Sequence, residues 1–283
     1  MTATAALTIN CKGRLLSLEE AKVMAILNVT PDSFYDGGQH HLHETAVAKA
    51  LQYLSEGAAI IDIGGQSTRP GAERVSEAEE LQRVIPVIEL LLKAAPDTLI
   101  AVDTYRAAVA KTAVEAGACM VNDISAGTLD SMLLPTVAQL QVPYVLMHMQ
   151  GTPETMQLAP DYDNVVTAVY DFFSKQVAAL KEMGITDIIL DPGFGFGKTV
   201  AHNYQLVAAL PLFTKLGFPL LAGISRKSMI TKVLNITPAE ALNGSTVLHT
   251  IALQNGAKLL RVHDVKPALE AIRLVQIYQD AVY

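Results

Sequence analysis

One alternation, repeated about eight times, constrains the fold of this chain of 283 residues more than any other feature. Short apolar runs span residues 23–29, 59–63, 99–102, 120–124, 143–147, 188–190, 219–224 and 258–262, and segments with helical spacing separate them. Apolar residues on both faces of each run predict strands of a parallel sheet that is buried on both sides. Strands that alternate with helices predict an α/β fold of right-handed βαβ units. Eight such units favour a single closed (β/α)8 TIM barrel, and an open doubly wound sheet is the alternative.

The first residues of the chain precede this alternation. Residues 6–18 predict a short β-hairpin that turns at Lys12 and Gly13. We therefore expect residues 1–22 to form a hairpin extension and residues 23–283 to form the barrel, as one domain overall. No basic region precedes an apolar core at the N-terminus, so no secretory signal is expected.

Charge and cysteine content exclude several classes of function. The formal net charge is −7 and no run is rich in Lys or Arg, which argues against nucleic acid or an anionic membrane as the main partner. No apolar run approaches the roughly 18 residues that a membrane-spanning helix needs. The two cysteines, Cys11 and Cys119, form no CxxC motif, which predicts a cytoplasmic protein without structural zinc.

Polar residues follow almost every predicted strand. Because the C-terminal ends of barrel strands surround the active site, we expect these residues to converge on one mouth. They are Asn28, Asp62, Asp103, Asn122, Asp123, His148, Asp191, Ser225, Lys227, Arg261 and His263. Some have simpler explanations when taken singly. Asp103 could cap the next helix, Asp62 and Asp123 could support the mouth, and His148 is more simply a hydrogen-bonded histidine than a base.

The segment LDPGFGFGK at residues 190–198 joins a carboxylate at a strand end to three alternate glycines. A carboxylate in that position is costly unless a donor pairs with it, and we expect the partner of Asp191 to be a flat heterocycle with adjacent N–H donors. The glycines predict a loop whose backbone turns sharply or lies close to a ligand. Their spacing fits neither the P-loop, which needs a glycine where Pro192 stands, nor the dinucleotide motif GxGxxG.

Basic residues follow the last two predicted strands. Alternation along a strand puts Arg261 and His263 on the same side, just before a helix with Pro267 in its first turn. Helix N-termini attract anions, and barrels often bind phosphate near strands 7 and 8. This favours a phosphate site, with a structural salt bridge of Arg261 as the alternative. One strand earlier, Lys227 is a candidate ligand contact, whereas Arg226 could simply be solvated.

The loop after the first strand carries two aromatic residues beside two glycines. Exposed aromatic residues on a glycine-hinged loop predict a lid over the mouth, and local packing of Phe34 is the alternative. The nearby histidines at 40, 41 and 43 lack the carboxylate or cysteine partners of a metal site.

Together these motifs resemble the dihydropteroate synthase family of pterin-binding (β/α)8 barrels. The resemblance runs from about Val23 to the C-terminus and rests on NVTPDSF (28–34), DIGGQSTRPGA (62–72), VDT (102–104), VND (121–123), LDPGFGFGK (190–198), GISRKS (223–228) and RVHDV (261–265). It implies an enzyme that joins 6-hydroxymethyl-7,8-dihydropterin diphosphate to 4-aminobenzoate and releases diphosphate. Because no room is left for a fused pyrophosphokinase, it also implies a monofunctional protein of bacterial type.

The resemblance assigns residues to each part of the expected site. For the pterin it implies Asp103, Asn122, Asp191 and Lys227. For the diphosphate it implies Asn28, Thr68, Arg261 and His263, with Mg²⁺ as the cofactor and Asn28 among the ligands of the metal. For 4-aminobenzoate it implies Phe34, Arg69, Pro70, Phe196, Ser225 and Lys227. The residues expected to act in catalysis are Asp103, Asp36, Lys227 and Arg261.

An arylamine is a weak nucleophile, so diphosphate is expected to depart first and leave a pterin methylene cation. Fixed negative groups stabilise a developing cation, and Asp103 and Asp36 are the candidates. The loops after strands 1 and 2 are expected to close and exclude water. The family resemblance also implies a homodimer formed through late helices, and the apolar face of the last helix (Leu269, Ile272 and Val275) is compatible with it. The alternatives are a pterin-dependent methyltransferase and a non-catalytic pterin-binding protein.

Overall fold

A computed structural model of the chain describes residues 7–30, 39–66, 75–152, 156 and 160–282, with the side chains of 39–41 and 282 left aside. The described chain begins with an antiparallel hairpin of β1 (Thr8–Cys11) and β2 (Arg14–Ser17). Its turn lies at Lys12 and Gly13, with φ of 53° and 86°, so the predicted hairpin is confirmed. Positive φ at both central residues is the conformation that two-residue hairpin turns favour.

Parallel strands then close into a barrel, which confirms the predicted fold class and rules out the open sheet. The barrel strands are β3 (Lys22–Asn28), β4 (Ile60–Gly64), β5 (Leu99–Asp103), β6 (Met120–Asp123), β7 (Tyr144–Met147), β8 (Ile188–Asp191), β9 (Leu220–Ala222) and β10 (Ala257–Val262). Neighbours pair in chain order, and β10 closes the barrel by pairing with both β3 and β9.

Helices lie between and after the barrel strands. They are α1 (Gln39–Glu56), α2 (Glu77–Ala94), α3 (Ala107–Glu115), α4 (Leu133–Leu140), α5 (Val165–Glu182), α6 (Val200–Phe213), α7 (Ser228–Leu234), α8 (Leu242–Gln254) and α9 (Val265–Val282). Local sequence sets their starts: Asn164 accepts hydrogen bonds from two backbone N–H groups of α5, and Thr199 forms a capping box with His202 at the start of α6.

The apolar core has two layers, because the barrel strands are buried on both faces. Between strands and helices lies the larger layer, whereas the smaller one fills the barrel interior. The interior layer includes Ile9, Cys11 and Leu18, so the N-terminal hairpin covers the lower end of the barrel. Cys119 lies beside Cys11 there, and their side chains are hydrogen bonded as free thiols. The N-terminal hairpin does not cover the opposite end of the barrel, where the C-terminal ends of the strands lie.

The prediction that Leu269, Ile272 and Val275 on α9 form a dimer interface is wrong. Ile272 and Val275 are buried in the core and Leu269 packs against it, so this stripe faces the barrel. The stripe that faces outward carries Leu274 and Ile277, with exposures of 71% and 54%.

In the part of the chain that the structure describes, no helix is long and apolar enough to cross a membrane. The division into a hairpin extension and one barrel domain stays a prediction.

Candidate active site

The ends of four adjacent strands lie at one level of the barrel. In the strand register Asn28 pairs with Gly64, Gly64 with Asp103, and Asp103 with Asn122. A cavity of about 660 Å³ opens at this end, a volume typical of small-molecule sites. Its lining includes Asn28, Asp103, Phe196, Gly223, Ser225, Lys227, Arg261 and His263. Six of the eleven strand-end residues predicted to converge on one mouth therefore line this cavity, and Asp62, Asn122, Asp123, His148 and Asp191 are not among its described lining residues.

The guanidinium group of Arg261 joins two carboxylates across the mouth. Its Nε donates to Oδ2 of Asp62 at 2.6 Å, and its Nη2 donates to Oδ2 of Asp103 at 2.5 Å. Burial alone would lower the pKa of Arg261, but the two carboxylates raise it above its ordinary value. The salt bridge considered as an alternative therefore exists. The salt bridge uses two of the five N–H donors of the guanidinium group, so an anion can still bind to the other donors.

Asp62 also orients Asn122, a connection that the sequence did not reveal. Nδ2 of Asn122 donates to Oδ2 of Asp62 at 2.9 Å. Since a carboxylate accepts and an amide nitrogen donates, this contact leaves the amide oxygen of Asn122 as an acceptor for a ligand. Asp123, one residue later, accepts from the hydroxyl groups of Tyr144 and Ser125, both at 2.7 Å, and so supports the strand ends.

Asp103 is held in an environment that favours its neutral form. Burial raises the pKa of Asp103 to about 7, although the charge of Arg261 opposes the shift. The alternative role as a helix cap is wrong, because α3 begins after Arg106 without a side-chain cap. The carboxylate of Asp103 can thus change its charge close to neutral pH at the cavity wall.

Asp191 and Lys227 face each other across Gly223. A Cβ on Gly223 would lie 3.8 Å from Oδ2 of Asp191 and 3.6 Å from Nζ of Lys227, so the absent side chain leaves room between two opposite charges. Burial raises the pKa of Asp191, opposed by Lys227, and burial lowers the pKa of Lys227 to about 8. Nζ of Lys227 donates to the carbonyl of Phe194 at 2.6 Å and lies 4.8 Å from the ring centroid of Phe196.

The glycines after β8 are required by close backbone packing. Gly193 has a φ of 69°, and a Cβ there would lie 1.9 Å from the carbonyl oxygen of His148. A Cβ on Gly197 would lie 2.4 Å from the carbonyl oxygen of Gln150. Positive φ at Gly193, Gly195 and Gly197 agrees with the predicted sharp turns. The sequence did not predict that the loop 193–198 packs directly on the segment after β7.

The last two strand ends meet through Ser225 and His263. Oγ of Ser225 lies 3.1 Å from Nδ1 of His263 and accepts from its backbone N–H at 3.2 Å. Arg226 differs from the solvated side chain considered above, because it forms a bidentate pair with Asp264, with both contacts at 2.8 Å. This pair joins the loop after β9 to the start of α9.

Five predicted site residues lie outside the described residues, namely Phe34, Asp36, Thr68, Arg69 and Pro70. The predicted lid falls in the same segments. The remaining predicted residues lie at the mouth, and their individual roles stay predictions.

Most of the chain matches proteins of one family. The family described as "Pterin binding enzyme" matches residues 24–263. Dihydropteroate synthase of Escherichia coli strain K12 is 48% identical over 267 residues, which cover 94% of this chain and 94% of that protein. A Xanthomonas albilineans dihydropteroate synthase structure with 4-aminobenzoic acid has a TM-score of 0.91 and 46% identity, covering 97% and 99% of the two chains. A structure from that organism in complex with 7,8-dihydropteroate has a TM-score of 0.87 and 44% identity, covering 96% and 98%.

Proposed function

This chain belongs to the dihydropteroate synthase family of pterin-binding enzymes, and from that membership we propose how its barrel mouth works. The enzyme is a transferase that condenses 6-hydroxymethyl-7,8-dihydropterin diphosphate with 4-aminobenzoate to give 7,8-dihydropteroate and diphosphate. The observation that carries the proposal is the buried carboxylate of Asp191, which lies across Gly223 from Lys227. The charges of Lys227 and Arg261, two residues that line the cavity, both act on this carboxylate.

The pterin lies against the floor of the mouth. Its adjacent N–H donors bind the carboxylate of Asp191, since a carboxylate that accepts two parallel hydrogen bonds from one ligand is a strong, directional partner. The amide oxygen of Asn122, turned inward by Asp62, accepts a further donor. Asp103 and Lys227 border the same space.

The diphosphate lies across the mouth, held by Asn28, Arg261, His263 and Thr68. Mg²⁺ fits this end of the cavity because its preferred ligands are oxygens and it keeps several waters. The amide oxygen of Asn28 and Oδ2 of Asp103 lie 3.7 Å and 3.6 Å from the position of a Cβ on Gly64, so two oxygen atoms lie beside this glycine. When bound, the metal neutralises charge on the leaving diphosphate.

The aminobenzoate lies nearer the cavity entrance. Phe196, Ser225 and Lys227 line the cavity. The family resemblance also assigns Phe34, Arg69 and Pro70 to this substrate, and these three lie outside the described residues. The aromatic ring of Phe196 offers stacking area, and the basic residues bind the carboxylate of the substrate.

In the reaction, the bond between the pterin methylene carbon and the diphosphate oxygen breaks before the arylamine nitrogen attacks that carbon. The nitrogen then loses one proton. Arg261 stabilises the departing anion, whereas Asp103 and Asp36 stabilise the methylene cation electrostatically. Water must be kept from the cation, and the loops predicted to close for this purpose lie outside the described residues. A methyltransferase or a simple binding protein would not need both the anion-binding groups and the aminobenzoate groups.

We place the enzyme in the cytoplasm, supported by two cysteines that remain free thiols.

A homodimer is supported by exposed apolar residues on adjacent helices, Val247 and Ile251 on α8 and Leu274 and Ile277 on α9. An Ile277→Glu variant should then sediment as a monomer at concentrations where the native chain is a dimer. A native monomer would contradict this part of the proposal.

A coupled assay tests the proposed reaction. With Mg²⁺ present, diphosphate release should require both pterin diphosphate and 4-aminobenzoate, and dihydropteroate should form in equal amount. Asp191→Asn should abolish both products, and Lys175→Met on the exposed face of α5 should have no effect. Repeated turnover that releases diphosphate without the arylamine, or pterin binding without any release when both substrates are present, would refute the condensation.

A further inference from the structure

Lys198, at the end of the loop 193–198, buries a charged group to which the proposed reaction assigns no role. Its exposure is 4%. Its Nζ lies 3.1 Å from Nδ1 of His148 and within hydrogen-bond distance of three carbonyl oxygens, those of His148 at 3.1 Å, Gly193 at 3.0 Å and Phe196 at 2.9 Å. The three N–H donors of the ammonium group are therefore shared among four acceptors. A buried ammonium group is tolerated only when its donors are paired, and these contacts supply the pairing.

His148 completes this set of acceptors as a neutral ring. Burial, together with the nearby charge of Lys198, lowers the pKa of His148 to about 3. While Lys198 is charged, its ammonium group can only donate, so Nδ1 faces it as an acceptor and the ring proton lies on Nε2. Phe172 packs edge-on against the imidazole with ring centroids 4.9 Å apart, which holds the ring in place.

The carbonyls that bind Lys198 belong to residues that also touch the substrate site. The N–H of Gly193 donates to Oδ1 of Asp191 at 2.7 Å, while its carbonyl accepts from Lys198. The carbonyl of Phe196 accepts from Lys198, while its ring lies beside Nζ of Lys227. The charge of Lys198 is therefore connected through Gly193 to Asp191, which is expected to bind the pterin. It is also connected to Phe196, which is expected to bind aminobenzoate.

We propose that Lys198, in its charged form, is a positioning residue that sets the orientation of the Asp191 carboxylate and of the Phe196 ring, with neutral His148 as an acceptor. This role rests on the proposed function, since it acts through groups assigned to the two substrates. Lys198 itself is not among the described residues that line the cavity, so it acts through these neighbours.

The charge of Lys198 matters because a neutral amine has only two N–H donors for these acceptors. Burial lowers the pKa of Lys198 to about 7, opposed by Asp191 and assisted by Lys227. Three further titratable groups lie near the loop. His148 and Tyr162 are neutral, and the hydroxyl of Tyr162, whose pKa is raised by burial to about 12, donates to the loop backbone at 2.8 Å. His202 accepts from the backbone N–H of Thr199 just after the loop and packs edge-on against Tyr162. Loss of the Lys198 proton as pH rises through about 7 should therefore loosen the loop.

Lys198→Met keeps the side-chain length and removes the charge, and Lys175→Met is the matched control on an exposed helix face. In the folded variant we expect KM for both substrates to rise about tenfold to hundredfold, because buried acceptors lose their donor. The change in kcat should be smaller. The alkaline limb of kcat/KM should move upward, toward the pKa of about 8 of Lys227. The control should match the native chain in each measurement.

A second pair of variants decides the question if Lys198→Met does not fold. His148→Asn places an amide oxygen near the position of Nδ1, whereas His148→Leu provides no acceptor. We expect KM in His148→Asn to stay within about threefold of the native value and KM in His148→Leu to rise further. Native KM values and an unmoved alkaline limb in Lys198→Met, or equal KM values in the two His148 variants, would overturn the inference. Failure of the native chain to make dihydropteroate would instead overturn the proposed function.

Discussion

A single methyl group added at Gly223 tests where the pterin ring binds. A Cβ at this position would lie 3.6 Å from Nζ of Lys227 and 3.8 Å from both Oδ2 of Asp191 and a methyl group of Leu221, which is ordinary van der Waals contact. Gly223 is not among the glycines with positive φ in the described chain. Gly223→Ala therefore requires neither a strained backbone nor displaced neighbours, yet it fills space between the two groups proposed to hold the ring.

The structure sets opposite expectations for stability and for binding. The free energy of unfolding should stay unchanged or rise by up to about 1 kcal/mol, because alanine restricts the unfolded chain. A ring displaced by the methyl group would lose at least one hydrogen bond to a charged group, worth about 1.5–3 kcal/mol. The Kd for 6-hydroxymethylpterin should then rise about tenfold to hundredfold.

Isothermal titration of 6-hydroxymethylpterin and denaturant unfolding measure these two quantities on the same sample. Gly184→Ala is the control for an added methyl group, since nothing lies within 4 Å of its Cβ, although its φ of 84° adds some strain. It should bind the pterin with native affinity. Native affinity in Gly223→Ala would refute the placement of the ring between Asp191 and Lys227.

Three further substitutions test the groups around Arg261. Asp62→Leu leaves Arg261 and the amide of Asn122 without their shared acceptor and should lower the free energy of unfolding by about 3–5 kcal/mol, measured by urea unfolding; a loss below about 1 kcal/mol would contradict the network. Since burial raises the pKa of Asp103 to about 7, kcat/KM should fall as pH drops below that value and the carboxylate gains a proton. Asp103→Asn should remove this acid limb from the pH profile, and a retained limb would assign it to another group. Arg261→Lys should raise KM for pterin diphosphate far more than Kd for 6-hydroxymethylpterin, because an ammonium group cannot replace a planar fork; equal losses would count against an anion contact.

The barrel was predictable from local pattern because strands buried on both faces leave a continuous apolar signal that helices interrupt. The number of units favoured closure over the open sheet but could not show it, since closure depends on the pairing of β10 with β3, as between Leu259 and Lys22. The polar residues that follow the predicted strands located the mouth of the barrel, because the C-terminal ends of barrel strands surround the active site. The residues at the ends of four neighbouring strands, from Asn28 to Asn122, lie side by side because of the strand register, and only the structure shows this register.

Contacts between distant residues escaped the sequence for a physical reason. The acceptor shared by Arg261 and Asn122 lies on β4, and nothing local distinguishes Asp62 from a cap or a support. Lys198 was visible only as a lysine whose spacing failed a P-loop test, because its acceptors are backbone carbonyls without a sequence signature. Helical spacing located the apolar stripe of α9 correctly, but such a stripe normally faces the core, and the outward residues such as Leu274 follow no such pattern.

The position of the pterin relative to Asp191 tests the central claim most directly. A crystal structure of the native chain with 6-hydroxymethylpterin should show the carboxylate accepting two adjacent ring N–H groups at about 2.7–2.9 Å, with the amide oxygen of Asn122 accepting a third. A carboxylate paired only with Lys227, with the ring bound elsewhere, would contradict the account.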